Sequence, residues 1–199
     1  EDSRNLLWYS LWKVIEQSEE KLLGIKLMIE LRKLFPSLNQ GTVGAGIDVL
    51  PIYKALGYKT GNLSTYVVFN SEIDKYIIAK GVSDQIIGNK KYRSKINVSR
   101  VNTYQFFLLA DEINQVAFSL HSYKTYNYIK SRYLDNPFFK YELWILKSGK
   151  EIGFIVLRRI SYKNSSLVKI VDFIGEKKLI SGLTHNVYQE ILRDSEYIE

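Results

Sequence analysis

The chain contains no cysteine. That excludes a disulfide framework, a thiol nucleophile and any Cys-ligated zinc or iron–sulfur centre, and it fits a cytoplasmic protein. Its only histidines, His121 and His185, stand 64 residues apart with no ligand cluster beside either, so no metal centre is expected. Three prolines and twelve glycines are too few for a collagen-like or low-complexity chain, and 46% apolar content excludes a disordered one. No apolar run approaches the roughly 20 residues of a spanning helix, so no membrane span is expected. The opening residues EDSRNLLWYS are acidic and lack the charged-then-apolar form of a signal peptide. Walker, dinucleotide-binding and G-x-S-x-G motifs are absent from the sequence.

What the chain has in quantity is aromatic residues: 15 Tyr, 9 Phe and 3 Trp in 199. Such side chains favour strands, so sheet should be prominent. The length suits one large domain or two small ones. Charge divides unevenly. Residues 1–79 carry nine Lys/Arg against nine Asp/Glu, and residues 80–199 carry 19 against 12, which is the whole net charge of +7. Six of those cations, Lys80, Lys90, Lys91, Arg93, Lys95 and Arg100, fall within 80–100 beside the single acid Asp84. A solvated basic linker or excursion is the leading reading of that stripe. Nucleic-acid binding is the lesser alternative, because no RNA- or DNA-binding motif accompanies it.

Periodicity gives the elements. Residues 5–15 are apolar on both faces of a period-two pattern, as in a strand covered on both sides. Leu23, Leu27, Leu31 and Leu34 form one stripe of a helix that Ser18 would cap and Pro36 would end. A short Gly-rich strand over 40–47 precedes a helix over 48–56, with Pro51 in its first turn and Gly57 at its end. Strands are predicted over 63–69 and 76–78. Residues 101–120 read as strand or helix, and 122–134 as helix. A hairpin is predicted over 141–146 and 151–160, a strand over 167–174, a helix over 183–192, and a strand opening at Tyr197 and Ile198. The two halves each show an α/β order with one sheet.

IYKALGY (residues 52–58) resembles the carboxy-terminal signature of GNAT-type N-acetyltransferases, a short helix that follows a strand. Strand 5–15, the turn 16–20 and the helix with Leu23 and Gly24 occupy the places of that family's acetyl-CoA-binding strand, loop and helix. Downstream, RYLDNPFFKYELWIL, EIGFIVLRRI and LVKIVDFIG resemble the second half-module of bacterial tandem GNAT-fold proteins of surface-polysaccharide biosynthesis. The resemblance implies an α/β fold of GNAT-like mixed sheets with flanking helices in two partial modules. The first would span residues 1–79 and the second 101–199, joined by 80–100. It also suggests an internal piece, the back of one module and the front of the next.

The activity the resemblance implies is transfer of an acetyl group to a small-molecule amine, an amino sugar or nucleotide-linked amino sugar. Acetyl-CoA, or another acyl-CoA, would lie along Leu11, Trp12, Lys13 and Val14, with its pyrophosphate on the helix start at Leu23, Gly24 and Ile25. Tyr53 falls at the position of the family's general acid, which protonates the leaving thiolate. In the phosphate loop the register gives Glu19, Leu22 and Gly24 where the family reads Gln or Arg, Gly, and Gly or Ala. Like charges about 4 Å apart cost about 4 kcal/mol at an effective dielectric of 20. This opens a second reading, a GNAT-fold module that binds a partner or anion without catalysis. Asp172 stands out inside the apolar run IVDFI, where a carboxylate must be paired or hydrogen-bonded. It is a candidate base for the amine, or a structural partner of Arg158 or Arg159. No feature of the sequence specifies an oligomeric state.

Overall fold

The structure is a computed structural model that describes residues 6–9, 20, 22–80 and 95–199. The chain divides into two units, Glu1–Leu63 and Ser64–Glu199, so residues 64–79 belong with the second. It is mixed α/β.

In the first unit β1 (Leu6–Tyr9) and β2 (Asn39–Thr42) pair in parallel, from Leu6 opposite Asn39 to Tyr9 opposite Thr42. Parallel neighbours need a crossover. Helix α1 (Leu23–Leu34) lies between them in the chain, with Arg32 and Lys33 in its last turn where the helix dipole favours cations. Pro36 stands just beyond it. The leucine stripe is not the buried side of α1: Leu23, Leu27 and Leu34 are 41%, 49% and 69% exposed, and Gly24 and Met28 are buried. The buried line is rotated by one residue, about 100°, toward glycine, which has no side chain to hold the helix backbone away. The candidate cap Ser18 and the strand expected over 10–15 lie outside the described residues. After a 3₁₀ turn at Ile47–Val49, α2 (Leu50–Ala55) begins with Pro51 in its first turn.

The second unit is built on a six-stranded sheet in the order β3-β8-β7-β6-β5-β4. Its strands are β3 (Val68–Phe69), β4 (Asn97–Val101), β5 (Glu142–Ser148), β6 (Glu151–Tyr162), β7 (Ser165–Ile174) and β8 (Tyr197–Ile198). All neighbours are antiparallel except β7 and β8. The predicted hairpin is β5–β6. Its loop is Gly149-Lys150, and Gly149 supplies the positive φ (59°) that a tight hairpin turn asks of its first residue.

The strands are apolar on both sides because both faces are covered. Leu143, Ile145, Phe154 and Val156 meet Phe106, Ile113 and Ile129 from α3 (Thr103–Leu108), α4 (Ala110–Ser119) and α5 (Tyr126–Ile129). Trp144, Leu146, Ile155 and Leu157 meet Leu179, Val187 and Ile191 from α6 (Lys177–Ser181) and α7 (His185–Leu192). Residues 103–108 and 110–119 are thus helical, and residues 97–100 of the expected linker, with Val101, form an edge strand. Lys90, Lys91 and Arg93 of the basic stripe lie outside the described residues.

The strand predicted over 63–69 shrinks to Val68–Phe69, matching a partner, β8, that is itself two residues long. Tyr76–Ile78 is not a strand. Its amides point at a side chain instead: Glu196, 0% exposed, accepts hydrogen bonds from the N–H groups of Ile77 (2.5 Å), Ile78 (2.9 Å) and Ala79 (2.9 Å) and from the Ser165 hydroxyl (2.6 Å). Asn70, also buried, donates to the carbonyls of Arg193 (2.6 Å) and Ser195 (2.9 Å). Residues 70–79 are thereby strapped to the segment around β8.

Burial by itself would raise the Glu196 carboxyl; the hydrogen bonds from Ser165, Ala79, Ile77 and Ile78 outweigh it and hold the group below the ordinary glutamate range. A depressed folded value contributes stability that is fully present above the unfolded value of about 4.3 and is lost as pH falls through the folded one. Glu196→Gln turns an N–H₂ group toward amide donors and should cost about 2–4 kcal/mol at neutral pH. Urea titrations from pH 7 to pH 3 should show the wild type losing its advantage over the variant across the acidic range. Equal stabilities at pH 7 would contradict this.

Candidate functional site

In the first unit the sequence IYKALGY builds its own geometry. Gly57, at φ 81°, ends α2 with the left-handed residue of a Schellman motif: the Tyr58 N–H donates to the Tyr53 carbonyl and the Gly57 N–H to the Lys54 carbonyl, both at 2.9 Å. The turn folds Tyr58 back onto Tyr53, whose rings meet edge to face at 5.4 Å. The Arg32 guanidinium lies over the other ring of this pair, 4.3 Å from the Tyr58 centroid.

The parallel pairing brings Tyr9 to the same place. Both the Tyr9 and Tyr58 hydroxyls donate to the Gln40 amide oxygen, at 2.6 and 2.9 Å, and the two phenol oxygens are 3.4 Å apart. Burial pushes the Tyr9 phenol well above its ordinary value, the contact with Tyr58 adds to this, and Arg32 opposes it. Tyr9 therefore stays protonated and keeps its proton to donate. Beside this cluster is a cleft of about 330 Å³ formed by residues 40–45, Leu50, Tyr53 and residues 58–63. Tyr53 is 7% exposed and lines it, and its hydroxyl has no hydrogen-bond partner among the described residues. Among the described residues the cleft walls carry Lys59, Thr60, Asn62 and Gln40 but no carboxylate.

Of the residues expected to hold acetyl-CoA, Leu11, Trp12, Lys13 and Val14 lie outside the described residues. Leu23, Gly24 and Ile25 form the first turn of α1, directly after Leu22, which adopts the left-handed region (φ 58°). Glu20 stands at that helix start, ion-paired with Lys26.

Asp172 belongs to the second unit. A β-bulge aims it: Val156 pairs with Asp172 and Leu157 with Ile170, which leaves Val171 as the extra residue. Val168 and Ile170 face the α6–α7 side, whereas Ile174 faces the α3–α5 side, and so does Asp172. There Lys124 donates to one carboxylate oxygen at 2.5 Å and Tyr133 to the other at 2.7 Å. The Phe173 N–H adds a third bond, at 2.8 Å. Tyr133 is presented by a single π-helical turn, Lys130–Leu134, closed by the Asp135 N–H donating to the Lys130 carbonyl at 2.8 Å. Burial, and then the Asp172 hydrogen bond, push the Tyr133 phenol far above its ordinary value.

Neither arginine considered for Asp172 serves it. Arg158 lies over the Phe139 ring at 3.7 Å. Arg159 donates to the Ile191 and Leu192 carbonyls at the end of α7, and its Nε stands 3.6 Å from Glu142. Asp172 thus has its oxygens engaged and acts as the fixed counterion of Lys124. Lys124 in turn lines a groove of about 440 Å³ with Lys177 and Lys178, and Tyr133 lines a separate one of about 640 Å³ with Tyr141 and Phe139.

Sequence reasoning singled out Tyr53 and Asp172 but not their partners. Tyr58 was within reach, inside IYKALGY. Gln40, Tyr9, Lys124 and Tyr133 carry no signal until the strands and helices are paired. His185 Nε2 stands 3.1 Å from Ser71 Oγ. Among the described residues no group of three or more His, Cys, Asp or Glu could hold a metal, and no helix is long and apolar enough to cross a membrane. No family model matches the chain, and neither does any curated protein or solved structure.

The Lys124–Asp172 pair is 25% and 9% exposed, so breaking it leaves a largely buried charge. Lys124→Met should cost about 2 kcal/mol, and Asp172→Asn added to it should restore part of the loss. A double-mutant cycle by denaturant unfolding should give a coupling of about 1–3 kcal/mol; a coupling near zero would remove the pair from the account.

Proposed function

We propose that the chain is part of an acyl-CoA-dependent N-acyltransferase that acetylates a small-molecule amine in the cytoplasm, an amino sugar or nucleotide-linked amino sugar. The observation that carries the reading is Tyr53: it sits on the helix after the second of two parallel strands, lines a cleft and has a hydroxyl with no hydrogen-bond partner among the described residues. Two further features support it. The β1–α1–β2–α2 order agrees with the acetyl-CoA-binding strand, loop and helix of the GNAT resemblance. The second unit likewise sets its two parallel strands, β7 and β8, on either side of helices.

The residues present fit the cofactor. Among its described residues the cleft offers donors and a lysine without a carboxylate, as suits an oxygen-rich ligand, and the first turn of α1 turns toward an anion N–H groups that the helix itself does not pair. Acetyl-CoA, when bound, supplies an activated thioester. Tyr53 holds the proton that the departing sulfur takes, and the amine's surplus proton returns to the phenolate, so the residue ends as it began. The described residues that line the cleft include no carboxylate to take a proton from the amine, which favours an amine that enters uncharged.

One observation favours a second reading. Glu20, paired with Lys26, puts a carboxylate at the start of α1 where a pyrophosphate would lie. That suits a module of the same fold that binds a partner or anion and has no catalysis.

Calorimetric or fluorescence melting with acetyl-CoA separates the two. Ligand at a hundred times its Kd should add about 2.7 kcal/mol to stability. Tyr53→Phe should keep that shift while turnover falls about 100-fold or more. No shift at millimolar acetyl-CoA favours the non-catalytic module.

A further inference from the structure

In the first unit, Gln40 is the polar side chain whose two ends are used differently. Its amide oxygen accepts from both Tyr9 and Tyr58. With both phenols donating to the oxygen, the nitrogen end of the amide faces away from them. The Nε2 group then carries two N–H donors with no partner among the described residues, on a residue that lines the Tyr53 cleft. It is not sealed in the interior, since the buried side-chain atoms without partners among the described residues are Thr184 Oγ1 and Gln189 Oε1.

The clamp around it is stiff. Thr42 Oγ1 ties the β2 side to the Tyr9 carbonyl at 2.9 Å, and the Schellman turn fixes Tyr58. A neutral, preoriented N–H₂ group can donate to a carbonyl oxygen without bringing a charge into the cleft. Resting on the acyl-transfer reading above, we propose that Gln40, oriented by Tyr9 and Tyr58, is a substrate-contacting donor that holds the carbonyl oxygen of the acetyl group in the Tyr53 cleft. The group it reads is common to the donor thioester and to the N-acetyl product.

Gln40→Glu isolates this role. A glutamate can still accept from both phenols through one oxygen, so the melting temperature should stay the same. Its second oxygen replaces a donor with an acceptor, so an acetyl carbonyl should be repelled. The probes are acetyl-CoA, CoA without the acetyl group, and N-acetylglucosamine, titrated by calorimetry or ligand-observed NMR into the full chain. The expected result is about tenfold or greater weakening for acetyl-CoA beyond whatever weakening the added charge causes for CoA without the acetyl group, and a like weakening for the uncharged N-acetylglucosamine.

Unchanged binding of the acetyl probes by the variant overturns the assignment and leaves the acyltransferase reading intact. Wild-type binding of N-acetylglucosamine but not acetyl-CoA, lost in the variant, supports Gln40 and removes the cofactor reading. Wild-type binding of neither probe overturns both. In case Gln40→Glu folds poorly, the wild-type protein gives the same answer: the side-chain amide protons of Gln40, recognised by their proximity to Tyr9 and Tyr58, should shift when either acetyl probe binds. An unmoved pair with probe bound is a refutation.

Discussion

The six-stranded sheet closes on a carboxylate. β3 and β8 are two residues each, too short to hold an edge by ladder hydrogen bonds alone. Glu196 supplies what they lack. It stands directly before β8 and gathers the amides of residues 77–79 and the hydroxyl of Ser165 on β7. A buried carboxylate is costly unless it is hydrogen-bonded, and here the donors are mostly backbone, whose own need for partners is met in the same contact. Asn70 repeats the device in the opposite sense, giving its amide protons to two carbonyls beside Glu196. Arg159 then ties the last carbonyls of α7 to the same corner. The sheet edge, the strap and the end of α7 therefore depend on one anion, one amide and one cation whose sequence positions lie as much as 126 residues apart.

That separation explains which parts of the fold were legible in the sequence. The β5–β6 hairpin is local: two apolar runs and a Gly-containing turn determine each other. Both faces of β5 are covered, with Trp144 and Ile145 on opposite sides, whereas the doubly covered strand expected from the sequence is residues 5–15, most of which lie outside the described residues. Tyr76–Ile78 looked like a strand because its composition is strand-like, yet its hydrogen bonds go to a side chain nearly 120 residues on. The leucines of α1 formed a good stripe, but burial followed Gly24, whose advantage is the absence of a side chain and so leaves no hydrophobic signal. Asp172 was recognisable as a charge in an apolar run. Its partner was not, because a β-bulge turns it away from the side that strict alternation assigns, and a bulge has no sequence mark here.

The same contrast distinguishes the two residues that sequence reasoning offered for catalysis. Asp172 is saturated: a lysine, a phenol and an amide take up its lone pairs, and its neighbours Tyr128 and Tyr141 stack edge-on against Tyr133. A group in that condition holds structure and anchors Lys124 at the rim of its groove. Tyr53 and Gln40 are the reverse. Their positions are fixed by rings, a Schellman turn and two phenol hydrogen bonds, while the polar atoms that remain have no partner among the described residues and border a cleft.

Fixed position with free valence is what binding a ligand requires. A donor that must reorganise to meet its acceptor loses much of the interaction to the entropy of ordering, and one already satisfied by the protein has nothing to give. In the first unit, short elements reach this condition with little machinery. A two-stranded parallel pair is marginal alone, but Tyr9 on β1 and Gln40 on β2 are joined through Tyr58 beyond α2, so the polar cluster that orients the donor also holds the unit together. Stability and preorganisation are then the same interaction. Removing a phenol from this cluster loosens the donor and the strand pair at once, whereas altering only the outward end of Gln40 touches the ligand alone.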